Sequence, residues 1–374
     1  MNQITLYGSP LSLFTGRARS YLIKAGLDYR ETVHGTASAY YMKEVLPKAG
    51  GRMGIPTIES AEGNVVRDGA AIIDYYEAKS GYQFSPKTPK QNILSLLYDV
   101  IGCEGLLRPA MHYRWNFPEA NQAFLHFHFS TMMAAGPERD VQTEKSMQAM
   151  RNACKSFGAV PETFAIVEEL YEELLEKLSA HFLAQPYLFG GKPSIGDFGM
   201  IAPFYGHLGR DPKPLFLMQT TSVNMFRWVE RMNRPELDVG EYAIQDGAYL
   251  ANDEIPDTLI ELTKHLAIDF VPETKAASVC INEWLKNQED LPSSSTAARG
   301  VGIAPFEVRG NTINALAQPY RFYLLQRVQD AFAALSETDQ ANVKSMLSTC
   351  GMGDILDVTI DRRIGRKDNN EVWI

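Results

Sequence analysis

Met53-Gly54-Ile55-Pro56-Thr57-Ile58-Glu59-Ser60 leads into Ala61-Glu62-Gly63-Asn64, then Val65-Val66-Arg67, then Asp68-Gly69-Ala70-Ala71-Ile72. Read in order, these residue types organise everything upstream. A strand entered through Ile55-Pro56 suits proline, which has no N–H to offer a ladder and sits well at a strand's first position. Ala61 to Asn64 reads as a turn and Val65 to Arg67 as the returning strand of an antiparallel hairpin. Asp68 ahead of small residues starts a helix that runs to about Lys79.

Upstream, Ile4 to Tyr7 reads as a short strand ended by Gly8-Ser9-Pro10. Ser12 precedes a helix-compatible run, Gly16 to Ala25, with Ala18, Tyr21, Leu22 and Ala25 at helical spacing and Gly26 as the stop. Leu27 to Val33 reads as a second strand, and the polar stretch holding Tyr40, Tyr41 and Val45 as the next helix. The order β-α-β-α-β-β-α over residues 1–80 is a compact α/β layer.

Downstream the character changes. Gly81 to Lys90 is a linker, and Asn92 to Arg108 has a helical pattern. In Phe164 to Phe182, Val167, Leu170, Tyr171, Leu174, Leu175 and Leu178 mark one helical face, with glutamates mostly on the other. Ser194-Ile195-Gly196-Asp197 has the form of a capping box opening a buried helix. Phe226 to Met232 ends a further helix. Residues 91–238 thus read as an all-helical domain.

Residues 239–374 differ again. Thr258 to Leu285 is helical, with a break expected at Pro272, and Leu291 to Gly302 is a linker. Phe306 to Val308 and Thr312 to Leu316 flank Arg309-Gly310-Asn311 as a hairpin. Tyr320 to Leu335 and Glu337 to Leu347 are helices, and Leu356 to Ile360 suggests one more strand.

Composition narrows the function. The chain has 374 residues, 45% hydrophobic and 22% charged, with a formal net charge of −9. That balance argues against a sequence-independent grip on nucleic acid, which needs clustered Lys and Arg. The short basic run Arg362, Arg363, Arg366 and Lys367 reads as a solvated face. Cys103, Cys154, Cys280 and Cys350 show no paired spacing, so zinc patterns and a disulfide framework are not indicated. His126 and His128, at i, i+2, would diverge on a helix and do not suggest a metal pair. With no signal segment evident and no apolar run long enough for a bilayer, a cytoplasmic, non-membrane setting is expected.

Three patterns, in their order and spacing, resemble the glutathione S-transferases. They are Leu6-Tyr7-Gly8-Ser9-Pro10-Leu11-Ser12 before a helix ending at Gly26, then Gly54-Ile55-Pro56-Thr57 with its hairpin and Asp68-Gly69-Ala70-Ala71-Ile72, and finally Pro193-Ser194-Ile195-Gly196-Asp197-Phe198. The resemblance covers residues 1–236. It implies an α+β protein with a thioredoxin-like N-terminal domain (1–80), an all-α second domain (91–238) and a C-terminal α/β extension (239–374) that the usual family plan lacks.

The resemblance also implies a site. Ser12 falls where serine-type transferases carry the catalytic hydroxyl, just before a helix whose free N–H groups and macrodipole favour a thiolate. A plain helix cap is the alternative for Ser12. Tyr7 is the rival hydroxyl, as in tyrosine-type relatives, with a core tyrosine as its alternative, and Thr15 is a third. No cysteine stands in Ser12-Leu13-Phe14-Thr15, which disfavours thiol–disulfide exchange. Ile55-Pro56 is expected cis, turning the Ile55 backbone outward to pair with a peptide thiol. Asp68 keeps the anionic residue that would hold the γ-glutamyl ammonium. Gly69 departs from the family's Ser or Thr, and one lost hydrogen bond to a charged group costs ~1.5–3 kcal/mol.

Met111, Tyr113 and Trp115, followed by Phe117, suit the wall that the resemblance implies for a hydrophobic co-substrate, with ordinary helix and loop packing as the alternative. The implied function is a glutathione S-transferase-like enzyme, with glutathione as co-substrate, a hydrophobic electrophile, no metal, and a homodimer left open. A non-catalytic binding or interaction protein of the same fold is the alternative. The extension is expected to cover the cleft, block the usual dimer surface or recruit a partner, with Arg299, Arg309 and Arg321 as candidates for an acidic group.

Overall fold

The computed structural model describes residues 3–33, 39–242, 246–288 and 290–374. Strand β1 (Ile4–Tyr7) lies at the centre of a four-stranded sheet of order β2-β1-β3-β4. β2 (Tyr29–Thr32) runs parallel to β1, while β3 (Thr57–Glu59) is antiparallel to it and pairs with antiparallel β4 (Val65–Arg67). Leu6 and Ile58 share a fully buried core with Ala18 and Leu22 of α1 (Leu13–Lys24) and Ile72 and Ile73 of α2 (Gly69–Ser80). Successive strand residues face opposite sides of a sheet, so Tyr7 packs instead with Tyr41 and Val45. The helix expected around Tyr40 to Val45 is a single π turn, Tyr41–Val45, and β2 ends one residue before Val33. The Ile55-Pro56 bond is cis.

The second layer is helical, from α3 (Pro89–Val100), through α4 (Leu107–Trp115), α5 (Pro118–Thr131), α6 (Arg139–Ala153), α7 (Phe164–Ala184), α8 (Ile195–Gly206) and α9 (Pro212–Thr221), to α10 (Val223–Met232). The Ser194 capping box forms: Asp197 Oδ2 accepts from the Ser194 N–H at 2.8 Å, and Ser194 Oγ accepts from the Asp197 N–H at 3.4 Å. The other Asp197 oxygen accepts from the Leu188 N–H and the Trp228 indole, both at 3.1 Å. Burial still outweighs those bonds and pushes the Asp197 carboxyl up to about 6.

Two buried arginines tie the layers together. Arg17 of α1 pairs with Asp99 of α3. Arg114 of α4 holds Asp211 through two bonds of 2.6 and 2.8 Å, and donates to the carbonyls of Leu11 (2.9 Å) and Gly206 (2.8 Å). The Leu11 bond fixes the backbone immediately before Ser12.

The extension begins with α11 (Asp257–Lys286), which runs unbroken through Pro272, where a break was expected. Leu262, Leu266, Phe270, Ala277 and Ile281 are all buried, and that packing outweighs the one helix bond a proline removes. β5 (Ile303–Val308) and β6 (Asn311–Leu316) form the expected hairpin, joined through Arg309-Gly310 at φ 48° and 77°. α12 (Pro319–Ala333) and α13 (Glu337–Thr349) pack on α3. Leu356 to Ile360 is not a strand. It buries Leu356, Val358 and Ile360, but the Gln329 amide donates to the Leu356 and Val358 carbonyls and the Ser278 hydroxyl to that of Thr359.

A second hairpin follows instead, β7 (Ile364–Lys367) and β8 (Asn370–Trp373), its first strand lying in the basic run read as solvated. Its tip caps β4, the edge of the first sheet. The Asn369 side chain accepts from the Arg67 N–H at 3.1 Å and donates to the carbonyls of Val65 (3.0 Å) and Lys48 (2.8 Å). An amide here does the work of a neighbouring strand on an otherwise open edge. Arg366 bonds to the Arg67 carbonyl and pairs with Glu371, so it is a docking residue and not a solvated charge. No helix among the described residues is long and apolar enough to cross a membrane.

Candidate functional site

The N-terminus of α1, the loop entering β3 and the N-terminus of α2 converge on one cavity of about 500 Å³. Ser12, Ile55, Pro56 and Asp68 all line it. Ser12 is the N-cap of α1, and its oxygen accepts from the Thr15 N–H at 3.2 Å. Among the described residues its hydroxyl hydrogen has no acceptor. Capping and donation into the cavity are therefore compatible, because they use different parts of one hydroxyl.

Beside it, neither the N–H nor the C=O of Ile55 has a partner among the described residues. A bare peptide group on a cavity wall is what an extended ligand pairs with. Asp68 stands at φ 89°, ψ 139°, a region that costs about 1–3 kcal/mol for a residue with a side chain. Its N–H is held by the Pro56 carbonyl at 2.9 Å, and its Oδ1 accepts from the N–H groups of Ala70 (3.0 Å) and Ala71 (3.1 Å).

This is the glutathione-transferase fold. A mixed sheet of order β2-β1-β3-β4, a cis-proline entering β3 beside the start of α1, and a helical domain with its buried capping box together define it. Solved structures similar to this chain include a glutathione transferase from Phanerochaete chrysosporium, at 14% identity, covering 63% of this chain and 97% of that one, with a TM-score of 0.43. The beta-etherase LigF from Sphingobium sp. strain SYK-6 is similar at 16% identity, covering 64% and 97%, with a TM-score of 0.41. A glutathione S-transferase from Methylobacterium radiotolerans, solved with glutathione sulfonate, is similar at 12% identity, covering 68% and 100%, with a TM-score of 0.38. TM-scores this low add nothing to what the strand order already shows. No protein-family model and no curated protein matches the chain.

Within this glutathione-transferase fold the other sequence candidates separate. Tyr7 does not line the cavity: its hydroxyl donates to Glu59 at 3.3 Å and its ring packs edge-on against Tyr41. Burial and the Glu59 carboxylate raise its pKa, the opposite of what a hydroxyl needs to ionise. Thr15 is fully buried, with its oxygen facing the Ser9 N–H at 3.4 Å. Gly69 does not line the cavity either. A Cβ there would stand 3.3 Å from the Arg17 side chain, a tight contact that a Ser or Thr could make only with a small shift of Arg17.

Met111 and Trp115 line the cavity, but Tyr113 does not; it stacks on Phe117 and packs against Tyr171 in the core. Residues i and i+4 share a helix face while i+2 points away, and α4 obeys that rule. Leu107, Phe129 and Phe157 complete the apolar wall. Arg309 binds Glu169 and Glu173 at the surface, and Arg321 is buried against Glu273. Arg299 alone of the three reaches the cavity, where it and Arg52 are exposed with no ion pair among the described residues.

Several lining residues had no sequence signal. Ala297, Ala298, Gln318, Tyr320 and Glu371 come from the extension, which closes over the cleft. The Tyr320 hydroxyl donates to Asp68 Oδ2 at 2.8 Å. Asp68 therefore already accepts three bonds from its own chain, leaving one lone pair of Oδ2 for a ligand ammonium. Glu104, from a short turn between α3 and α4, also lines the cavity.

Proposed function

We propose that the protein is a glutathione transferase-like enzyme that ionises the glutathione thiol and directs it at a hydrophobic electrophile. The observation that carries this reading is the Ser12 hydroxyl at the positive end of α1 beside the Ile55 peptide, both the hydroxyl hydrogen and the peptide group being without a partner among the described residues. On this reading residues 1–80 form the thiol-binding domain. The Ile55 peptide pairs with the cysteinyl part of glutathione, and Asp68 takes its ammonium through the remaining lone pair. Arg52 and Arg299, at the mouth, suit its carboxylates. Ser12 donates to the sulfur, the thiol proton leaves to solvent, and the thiolate forms a C–S bond with an electrophile resting on Met111, Trp115 and Phe129. Cytoplasmic location and homodimerisation remain expectations of the same reading.

A second reading, a binding protein without turnover, is favoured by the Tyr320–Asp68 bond, which places the extension on a ligand anchor. Retention on immobilised glutathione, followed by turnover of 1-chloro-2,4-dinitrobenzene, separates the two. The enzyme reading expects retention, turnover, and a loss of about 100-fold in kcat/KM on Ser12→Ala, the usual scale for removing a donor to developing negative charge. Retention without turnover supports the binding protein, and no retention overturns both.

A further inference from the structure

Glu104 is a buried acid on the cavity wall that the thiol chemistry above does not use. It sits in a single π turn, Ile101–Gly105, between α3 and α4. Such turns insert a residue into a helix and re-aim the side chains around it. Two close contacts hold this one. A Cβ on Gly102 would stand 2.3 Å from the Gly199 carbonyl, and one on Gly105 would stand 2.8 Å from the Phe270 ring.

The side chain held between them is 3% exposed. It lines the cavity, and neither of its carboxyl oxygens has a partner among the described residues, Oε2 being wholly enclosed. An ionised carboxylate left bare in such surroundings is costly, whereas a protonated one needs only a single acceptor.

The charged neighbours offset only part of that burial. Arg321 of α12 donates to the Glu104 backbone carbonyl at 2.9 Å and pairs with Glu273 of α11, not with the Glu104 carboxyl. Arg321 and, from the mouth, Arg299 attract the carboxylate, while Glu273 and Asp68 repel it. Burial wins, and the carboxyl is pushed up to about 7. At neutral pH a large share of Glu104 thus holds a proton inside the cavity. Leu107 and Met111 of the apolar wall follow it in the chain.

We propose that Glu104 is a catalytic proton donor, delivering its proton to an oxygen of the electrophile as the thiolate attacks. The inference rests on the thiol-transfer reading and names its substrate class: electrophiles whose oxygen gains charge on attack, epoxides foremost. The sulfur forms a bond to a ring carbon, and the C–O bond breaks with its electron pair going to oxygen. That oxygen takes the Glu104 proton, and solvent reprotonates the carboxylate. Thiol and epoxide enter, and a β-hydroxy thioether leaves.

The test compares glutathione turnover with styrene oxide against 1-chloro-2,4-dinitrobenzene, whose chloride departs without a proton. In the wild-type chain the styrene oxide rate, relative to the aryl chloride rate, falls as pH rises through about 7. In Glu104→Gln the relative styrene oxide rate at pH 6.5 is expected at least tenfold lower and flat with pH, ~10²-fold being typical of a lost general acid. A flat wild-type ratio, or a variant ratio within twofold of wild type, overturns the role of Glu104 and leaves thiol transfer standing. Failure of the wild-type chain on both electrophiles overturns thiol transfer, and this inference with it.

Discussion

The two walls of the cavity are made in different ways. One consists of helix starts and a strand entry: Ser12, Ile55, Pro56 and Asp68, set by short-range bonds such as Ser12 to Thr15 and Asp68 to Ala70 and Ala71. The other consists of side chains brought from far along the chain. Tyr320 reaches Asp68 across 252 positions, and Arg321 reaches the Glu104 carbonyl across 217. The first wall is polar backbone, which on the proposed reading receives a peptide and favours an anion on sulfur. The second is a buried acid, a phenol and an apolar surface, and it decides what else fits. The near wall thus survives changes in the extension better than the far wall does.

Four substitutions bear on that contrast. The largest effect is expected at Arg114, which anchors the Leu11 carbonyl of the near wall. Arg114→Ala strands Asp211, fully buried and already shifted upward by burial, without its cation. A loss of about 3–5 kcal/mol is expected, read by denaturant unfolding. A loss below 1 kcal/mol would show that the loop before Ser12 holds itself.

Next is Glu104→Gln, read as stability and not as rate. The Glu104 pKa is raised on folding, so between the unfolded value near 4.5 and the folded value near 7 the native state binds more protons, and stability falls as pH rises. The variant lacks that decline. It is expected to match the wild type near pH 4.5, gain about 1 kcal/mol per pH unit up to pH 7, and hold a constant lead above it. Parallel pH–stability curves would remove the buried charge from the account.

Asn369→Ala removes two bonds to the edge of β4 and one to the Lys48 carbonyl, and leaves the Arg67 N–H unpaired. About 2 kcal/mol is expected, with faster amide exchange at Arg67 as the local readout. The smallest effect is expected at Tyr320. Tyr320→Phe loses about 1 kcal/mol of stability but returns a lone pair to Asp68, so glutathione should bind several-fold tighter by calorimetry. Weaker binding would mean that the phenol belongs to the ligand site and does not compete with it.

The near wall was legible in the sequence because its signals are local. A proline before a β-branched strand, a serine before a helix and an aspartate before small residues each carry their meaning within a few positions. Tyr113 was misassigned although the information was present, since the i+2 position lies across the helix from Met111 and Trp115. Tyr7 failed for the matching reason in a strand, where alternation sends it to the face opposite Leu6. Glu104, Tyr320 and Asn369 left no local mark: a lone acid in an apolar run, a helix tyrosine and a turn asparagine are ordinary until the fold brings them to the cleft. The strand expected at Leu356 to Ile360 had the right alternation, but side chains satisfied its carbonyls where a ladder was expected.

The Asn369 clamp also bears on how the molecule forms. Its partner Arg67 lies 302 positions away, so closing that contact early would cost loop entropy with little to offset it. The helices between must collapse first, and only then does the amide find the sheet's edge. During refolding the wall of Ser12, Ile55 and Asp68 should therefore be assembled and solvent-open before the second wall arrives. A pulse of glutathione or of a reactive thiol probe would meet an uncovered cleft in that interval.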